Sequence, residues 1–177
     1  LILLALGAAK TLRGVDLHPG EIDRARRSAA WNGVSDRAEF LAGDLARAKD
    51  FLAPQGADLV TANPPYGAPG GGRKSPDAAL AAARHEVTLT LAQLLDAAAF
   101  ALKGRGAFCA VYPARRLAAL LSACRERGLE PKALRLVHPR AGRPASLALL
   151  CCVKGGGEGL EVRAPLYLHE EAGGRKY

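Results

Sequence analysis

Methionine is absent from the 177 residues, tryptophan occurs once, and aromatic side chains make up only 5% of the chain. Any core must therefore be built from aliphatic and small residues, and the 49% hydrophobic content is sufficient for one domain of ordinary size. No apolar run approaches the ~20 residues of a bilayer-spanning helix. The chain opens on Leu1-Ile2-Leu3-Leu4-Ala5-Leu6 without a preceding basic stretch or a clear cleavage site, which argues against a signal peptide. This run reads as the tail of a buried helix whose beginning lies upstream, and the chain is expected to be a fragment.

Cysteine is sparse as well. Cys109, Cys124, Cys151 and Cys152 have no metal-ligand spacing, so no metal is implied. Two of them fall in apolar, strand-like runs, and the expectation is four buried free thiols in a reducing cytoplasm. The neighbours Cys151 and Cys152 would point to opposite faces of a strand.

Acidic residues are scarce in one region only. Residues 1–99 hold eleven Lys/Arg and eleven Asp/Glu, whereas residues 100–155 hold eleven Lys/Arg against Glu126 and Glu130 alone, a net of +9. The whole excess of +8 is regional. A localised basic surface is the footprint of a polyanionic partner, most naturally nucleic acid; the plainer reading is solvated helix faces in an Arg-rich composition.

The most informative stretch is Asn63-Pro64-Pro65-Tyr66, which ends the apolar run 57–62. An exocyclic amine such as adenine N6 is a poor nucleophile because its lone pair is delocalised into the ring. Two acceptors on its N–H bonds draw the nitrogen towards tetrahedral geometry. The Asn63 side-chain oxygen and the Pro64 carbonyl can each accept one of these bonds, while Tyr66 offers a face for stacking. Pro64 and Pro65 fix the backbone between them, which preorganises the acceptors. The plainer alternative is a strand ending in a proline turn.

Periodicity predicts strands at 11–17, 38–42 and 58–62, with a helix after Pro19 through Ile22, Ala25, Ala29 and Ala30. Residues 67–75 read as a loop, followed by a helix capped at Ser75-Pro76-Asp77 that buries Val87, Leu91, Leu94, Leu95, Ala98 and Leu102 and stops at Gly104. The run 106–112 reads as a strand covered on both faces, Pro113 opens a helix that ends before Gly128, and 133–138 and 146–153 form a closing antiparallel hairpin. This is an α/β, doubly wound sheet.

In order along the chain, Gly14-Val15-Asp16, Gly43-Asp44-Leu45, Asn63-Pro64-Pro65-Tyr66 and Ala83-Arg84-His85-Glu86 resemble the S-adenosylmethionine-dependent adenine-N6 methyltransferases. The Arg84-His85-Glu86 block and the ending through Leu149-Leu150, Pro165-Leu166 and Gly174-Arg175-Lys176-Tyr177 are most similar to the tRNA enzymes that methylate the adenine beside the anticodon of valine tRNA. The resemblance implies a Rossmann-like class I methyltransferase sheet with an antiparallel C-terminal hairpin, in one domain over 1–177. It implies that Asp16 and Leu17 hold the cofactor ribose, that Asp44 and Leu45 hold its adenine, and that Asn63 also borders the cofactor. It implies catalytic roles for Asn63, Pro64, Pro65 and Tyr66, and tRNA contacts from Arg73, Lys74, Arg84, His85 and Arg143. Asp16 and Asp44 could instead serve only as local caps.

The family's Gly-rich loop and first, central strand have no counterpart in the sequence and are expected to precede Leu1. No membrane or metal partner is implied, and the oligomeric state is open. Two other readings stand beside the RNA enzyme: a methyltransferase acting on a protein glutamine, whose amide presents the same planar NH₂, and a non-catalytic RNA-binding domain without a cofactor loop.

Overall fold

The computed structural model describes residues 1–64 and 89–169. They fall into two compact units, Leu1–Phe51 and Leu52–Tyr177.

In the first unit, helix α1 (Ile2–Ala5) precedes strand β1 (Leu12–Asp16), helix α2 (Pro19–Trp31) and strand β2 (Ala38–Ala42). The two strands pair in parallel, with Asp16 opposite Ala42. Proline at the first helical position and Glu21 in the first turn set the start of α2, and Gly33, with φ of +63°, lets the chain leave it. Leu4, Ile22, Ala29, Val34 and Phe40 form the core. Only Leu4 of the opening apolar run is buried, whereas Ile2 and Leu6 lie about three-quarters exposed, so the expectation of a buried helix holds for one residue of that face. Gly14 is required by packing: a Cβ there would stand 2.8 Å from the Phe40 ring.

The second unit is a mixed sheet. Its strands are β3 (Ala57–Ala62), β4 (Leu102–Pro113), β5 (Leu129–His138), β6 (Leu147–Lys154), β7 (Glu161–Val162) and β8 (Leu166–Tyr167). The order is β3-β4-β6-β5-β7, with β8 also on β5. β3 and β4 are parallel, while β6 runs antiparallel to both β4 and β5, as the predicted hairpin requires. The two-residue strands β7 and β8 add a parallel outer edge that no sequence period announces.

Helices α3 (Leu91–Ala101) and α4 (Leu117–Arg125) belong to this unit. Leu95, Ala98, Phe108, Ala110, Tyr112, Leu120, Cys124, Leu129, Leu150 and Cys152 form one closed core. The helix expected from Ser75 is corrected at its described end: α3 starts at Leu91 under a capping box in which Thr90 accepts from the Gln93 amide and Gln93 accepts from Thr90 N. Leu102 does not extend it but begins β4, and the chain loops out between Leu102 and Ala107, where Arg105 takes φ of +66°. Lys154 Nζ donates to the Ala99 and Leu102 carbonyls at 2.6 and 2.8 Å, satisfying groups at the end of α3.

The strand at 106–112 is not covered on both faces among the described residues. Phe108, Ala110 and Tyr112 are buried while Ala107, Cys109 and Val111 are half-buried. An apolar run cannot by itself distinguish the two cases, since both faces carry small or aliphatic side chains.

Candidate active site

Two carboxylates stand at adjacent strand ends of the first unit. The Asp16 carbonyl accepts from Gly43 N at 2.9 Å, which ties the end of β1 to the residue before Asp44. Asp16 Oδ1 accepts from His18 N at 2.8 Å, and Asp44 Oδ1 accepts from Ala46 N at 2.8 Å as the cap of the short helical turn Leu45–Asp50. Asp44 therefore does serve as a local cap, whereas Asp16 closes a turn onto His18 and caps no helix, the N-cap of α2 being His18 without a side-chain bond. Each uses one oxygen, and Oδ2 of each accepts no hydrogen bond among the described residues. Leu17 is 43% exposed beside Asp16. The Leu45 amide, first in its turn, has no acceptor within that turn. Gly43 is fixed by contact: a Cβ would meet the Phe51 ring at 2.7 Å.

These groups fit a nucleoside. Carboxylate oxygens left open at the carboxyl ends of parallel strands can accept from ribose hydroxyls or from an adenine amino group, and a free amide can donate to a ring nitrogen.

In the second unit, Asn63 follows β3 directly and is exposed, and Pro64 is partly buried. The strand end, Thr61 to Asn63, borders an apolar cleft of about 470 Å³ walled by Cys109, Val111, Leu149, Cys151, Ala133 and Arg135. These side chains alternate with the buried ones along β4 and β6, so the cleft lies on the sheet face opposite the core. A flat ring could rest here while a neighbouring amide oxygen accepts its N–H. Pro65, Tyr66, Arg73, Lys74, Arg84 and His85 lie outside the described residues. Arg143 is exposed in the turn between β5 and β6.

The expectation of four free thiols is corrected. Cys109 and Cys151 form a disulfide on the cleft wall, while Cys124 and Cys152 are free and buried. Cys109 and Cys151 are direct partners in the β4–β6 register, with Cα atoms 4.3 Å apart, the spacing of a closely approaching antiparallel pair. Sequence separation of 42 residues carries no sign of this register. The opposite orientations of Cys151 and Cys152 are as expected: Cys152 lies in the core against Cys124. The thiol contact with Cys124 and burial both raise the Cys152 thiol above its ordinary range. Among the described residues no three His, Cys, Asp or Glu side chains are grouped to hold a metal, and no helix is long and apolar enough to cross a membrane.

No family model matches the chain. Over 86–93% of its length the structure follows two solved proteins: a predicted O-methyltransferase from Agrobacterium tumefaciens and a geranyl diphosphate C-methyltransferase from Streptomyces coelicolor crystallised with S-adenosyl-L-homocysteine. The first gives a TM-score of 0.70 at 22% identity over 72% of its own length, the second 0.58 at 10% over 68%. The fold is that of the class I methyltransferases. By sequence, this methyltransferase fold is related to the tRNA1(Val) (adenine(37)-N6)-methyltransferases of two strains of Porphyromonas gingivalis, at 31% identity over 108 residues. That match covers 60% of the chain and 42% of each relative, so the chain spans less than half the length of these enzymes.

Proposed function

We propose that the chain carries an S-adenosylmethionine-dependent methyltransferase activity directed at the exocyclic N6 of an adenosine in tRNA, in the anticodon loop. The observation that carries this reading is Asn63, exposed immediately after β3 and followed by Pro64, at the edge of an apolar cleft. The named activity of the sequence relatives supports it.

When bound, S-adenosylmethionine supplies an electrophilic methyl group on a sulfonium centre. Asp16 and Leu17 would hold its ribose, and Asp44 and Leu45 its adenine. The residues of this chain then have one chemical task at the acceptor, which is to make the amine nucleophilic. The Asn63 amide oxygen and the Pro64 carbonyl accept the two N–H bonds, which favours the pyramidal nitrogen over the planar one. Their positions are set before the base arrives, so no reorganisation is needed at the moment of reaction. The nitrogen sheds its proton readily after methylation, and no strong base is required. Because a stacked base is out of reach, the adenosine must be flipped from its loop, with Tyr66 stacking on it.

The test is Asn63→Ala in the protein. Turnover on a tRNA substrate is expected to fall by a factor of about 100 or more, the usual scale for one lost preorganised hydrogen-bond group, while S-adenosylmethionine affinity changes little. Retained turnover would reject the assigned role. Methyl transfer to a glutamine-bearing peptide and not to RNA would reassign the substrate.

A further inference from the structure

The +9 segment sorts into three groups once its side chains are located. Lys103, Arg125 and Arg127 are ion-paired, with Asp58, with Glu130 and Glu158, and with Asp96. Arg105, Lys132, Arg135 and Lys154 donate to backbone carbonyls of Gly155, of Gly157 and Glu158, of Ala164, and of Ala99 and Leu102. These seven serve the fold. The remaining four, Arg115, Arg116, Arg140 and Arg143, all lie at one end of the sheet.

The register shows why they converge. β4 ends at Pro113 opposite Leu147, and Leu147 is opposite Val137, so the segment after β4 and the turn 139–146 meet at the same edge. Ala114 N donates to the Ser146 carbonyl at 3.1 Å, joining the two. Arg116 lies over the Tyr112 ring, while Arg115, Arg140 and Arg143 are exposed and have no ion pair among the described residues. This is also the end at which β3 delivers Asn63, since Ala62 is opposite Ala110 in parallel register.

An aromatic pair stands in the same place. Tyr167, at the end of β8, is opposite His138, the last residue of β5, with ring centroids 5.6 Å apart. The backbone beneath is held by Leu168 N to the His138 carbonyl at 3.0 Å and His169 N to the Pro139 carbonyl at 3.1 Å. His138 Nδ1 contacts the Arg143 carbonyl at 2.6 Å, which fixes the imidazole against the arginine turn. Tyr167 remains 47% exposed.

We infer that Tyr167, braced by the His138 ring tilted 49° to it, is a stacking platform for an unpaired RNA base, with Arg140, Arg143 and Arg115 taking the phosphates that flank it. Bare charge would suit any polyanion, but a half-exposed ring on a strand end, packed against a histidine that contacts the arginine turn, matches the stacking-plus-phosphate pattern of single-strand recognition. The inference deepens the RNA reading above and rests on it for the class of partner. It names a subsite outside the methyl-transfer residues.

The experiment is fluorescence anisotropy on the full chain without S-adenosylmethionine, using a labelled RNA stem–loop and the same sequence annealed to its complement. Tyr167→Ala is expected to weaken stem–loop binding about tenfold or more, the scale of one lost base stack, with duplex binding nearly unchanged. Tyr167→Phe keeps the ring and restores binding. The exposed pair Arg140→Ala with Arg143→Ala should flatten the dependence of log affinity on log salt by about 1.4, two single-strand phosphate contacts. Unchanged stem–loop affinity in Tyr167→Ala overturns the platform, as does an equal loss for stem–loop and duplex. Competition by polyglutamate as strong as by RNA would reduce the surface to charge alone and overturn it too. A protein that binds the stem–loop through Tyr167 yet transfers no methyl to it rejects the reaction proposed above while this surface stands.

Discussion

In the proposed function, Asp44 carries a structural task and a ligand-binding task in a single side chain. Its Oδ1 accepts from Ala46 N at 2.8 Å and caps the turn that follows, while Oδ2 accepts no hydrogen bond among the described residues. Asp44→Ala removes both functions; Asp44→Asn removes one. Asparagine is as good a cap as aspartate, so its oxygen can keep the Ala46 bond while its NH₂ takes the open position. A donor would then face the donor of an adenine amino group. Asp44→Asn is therefore expected to retain the thermal midpoint and to weaken S-adenosylmethionine binding about tenfold to a hundredfold, the value of one hydrogen bond to a charged group. Asp44→Ala should show a similar loss of affinity and, in addition, lose about 1 kcal/mol of capping, lowering the midpoint by about 2–4 °C in a protein of this size. Titration calorimetry reads the first quantity and a thermal melt the second. Undiminished affinity in Asp44→Asn would refute the ligand role and leave Asp44 a cap.

Two further outcomes test the packing. Gly14→Ala should cost about 1–3 kcal/mol in a denaturant titration, because its new methyl would stand 2.8 Å from a Phe40 ring that is itself buried and cannot swing aside; an unchanged midpoint would contradict the tight contact. Alkylation followed by mass spectrometry should find no reactive thiol in the native, unreduced protein. After mild reduction it should find two, at Cys109 and Cys151, with Cys124 and Cys152 protected until unfolding; labelling of Cys109 before reduction would contradict the bridge.

Much of this protein could be read along the chain because the deciding signals are local. Strands β1 to β3, helix α2 and the β5–β6 hairpin follow from apolar runs punctuated by Pro19, Gly33, Gly128 and the turn at 139–146, each acting on residues within one or two turns of itself. The Asn63-Pro64 step at the end of β3 is equally local, and so are the hydrogen bonds that Asp16 and Asp44 accept from the amides two residues onward. The break before α3 is not announced by the sequence period, because Thr90 and Gln93, an adequate capping box, lie inside an apolar pattern that continues on either side.

What pairs with what across the sheet was decided by the tertiary structure alone. The Cys109–Cys151 bridge, the structural tasks of seven of the eleven cations, and the meeting of Tyr167 with His138 all depend on register between strands far apart in sequence. A one-residue slip would send each of these side chains to the other face. The period of a strand names its two faces without saying which neighbour it will meet, and only the packed sheet supplies that answer.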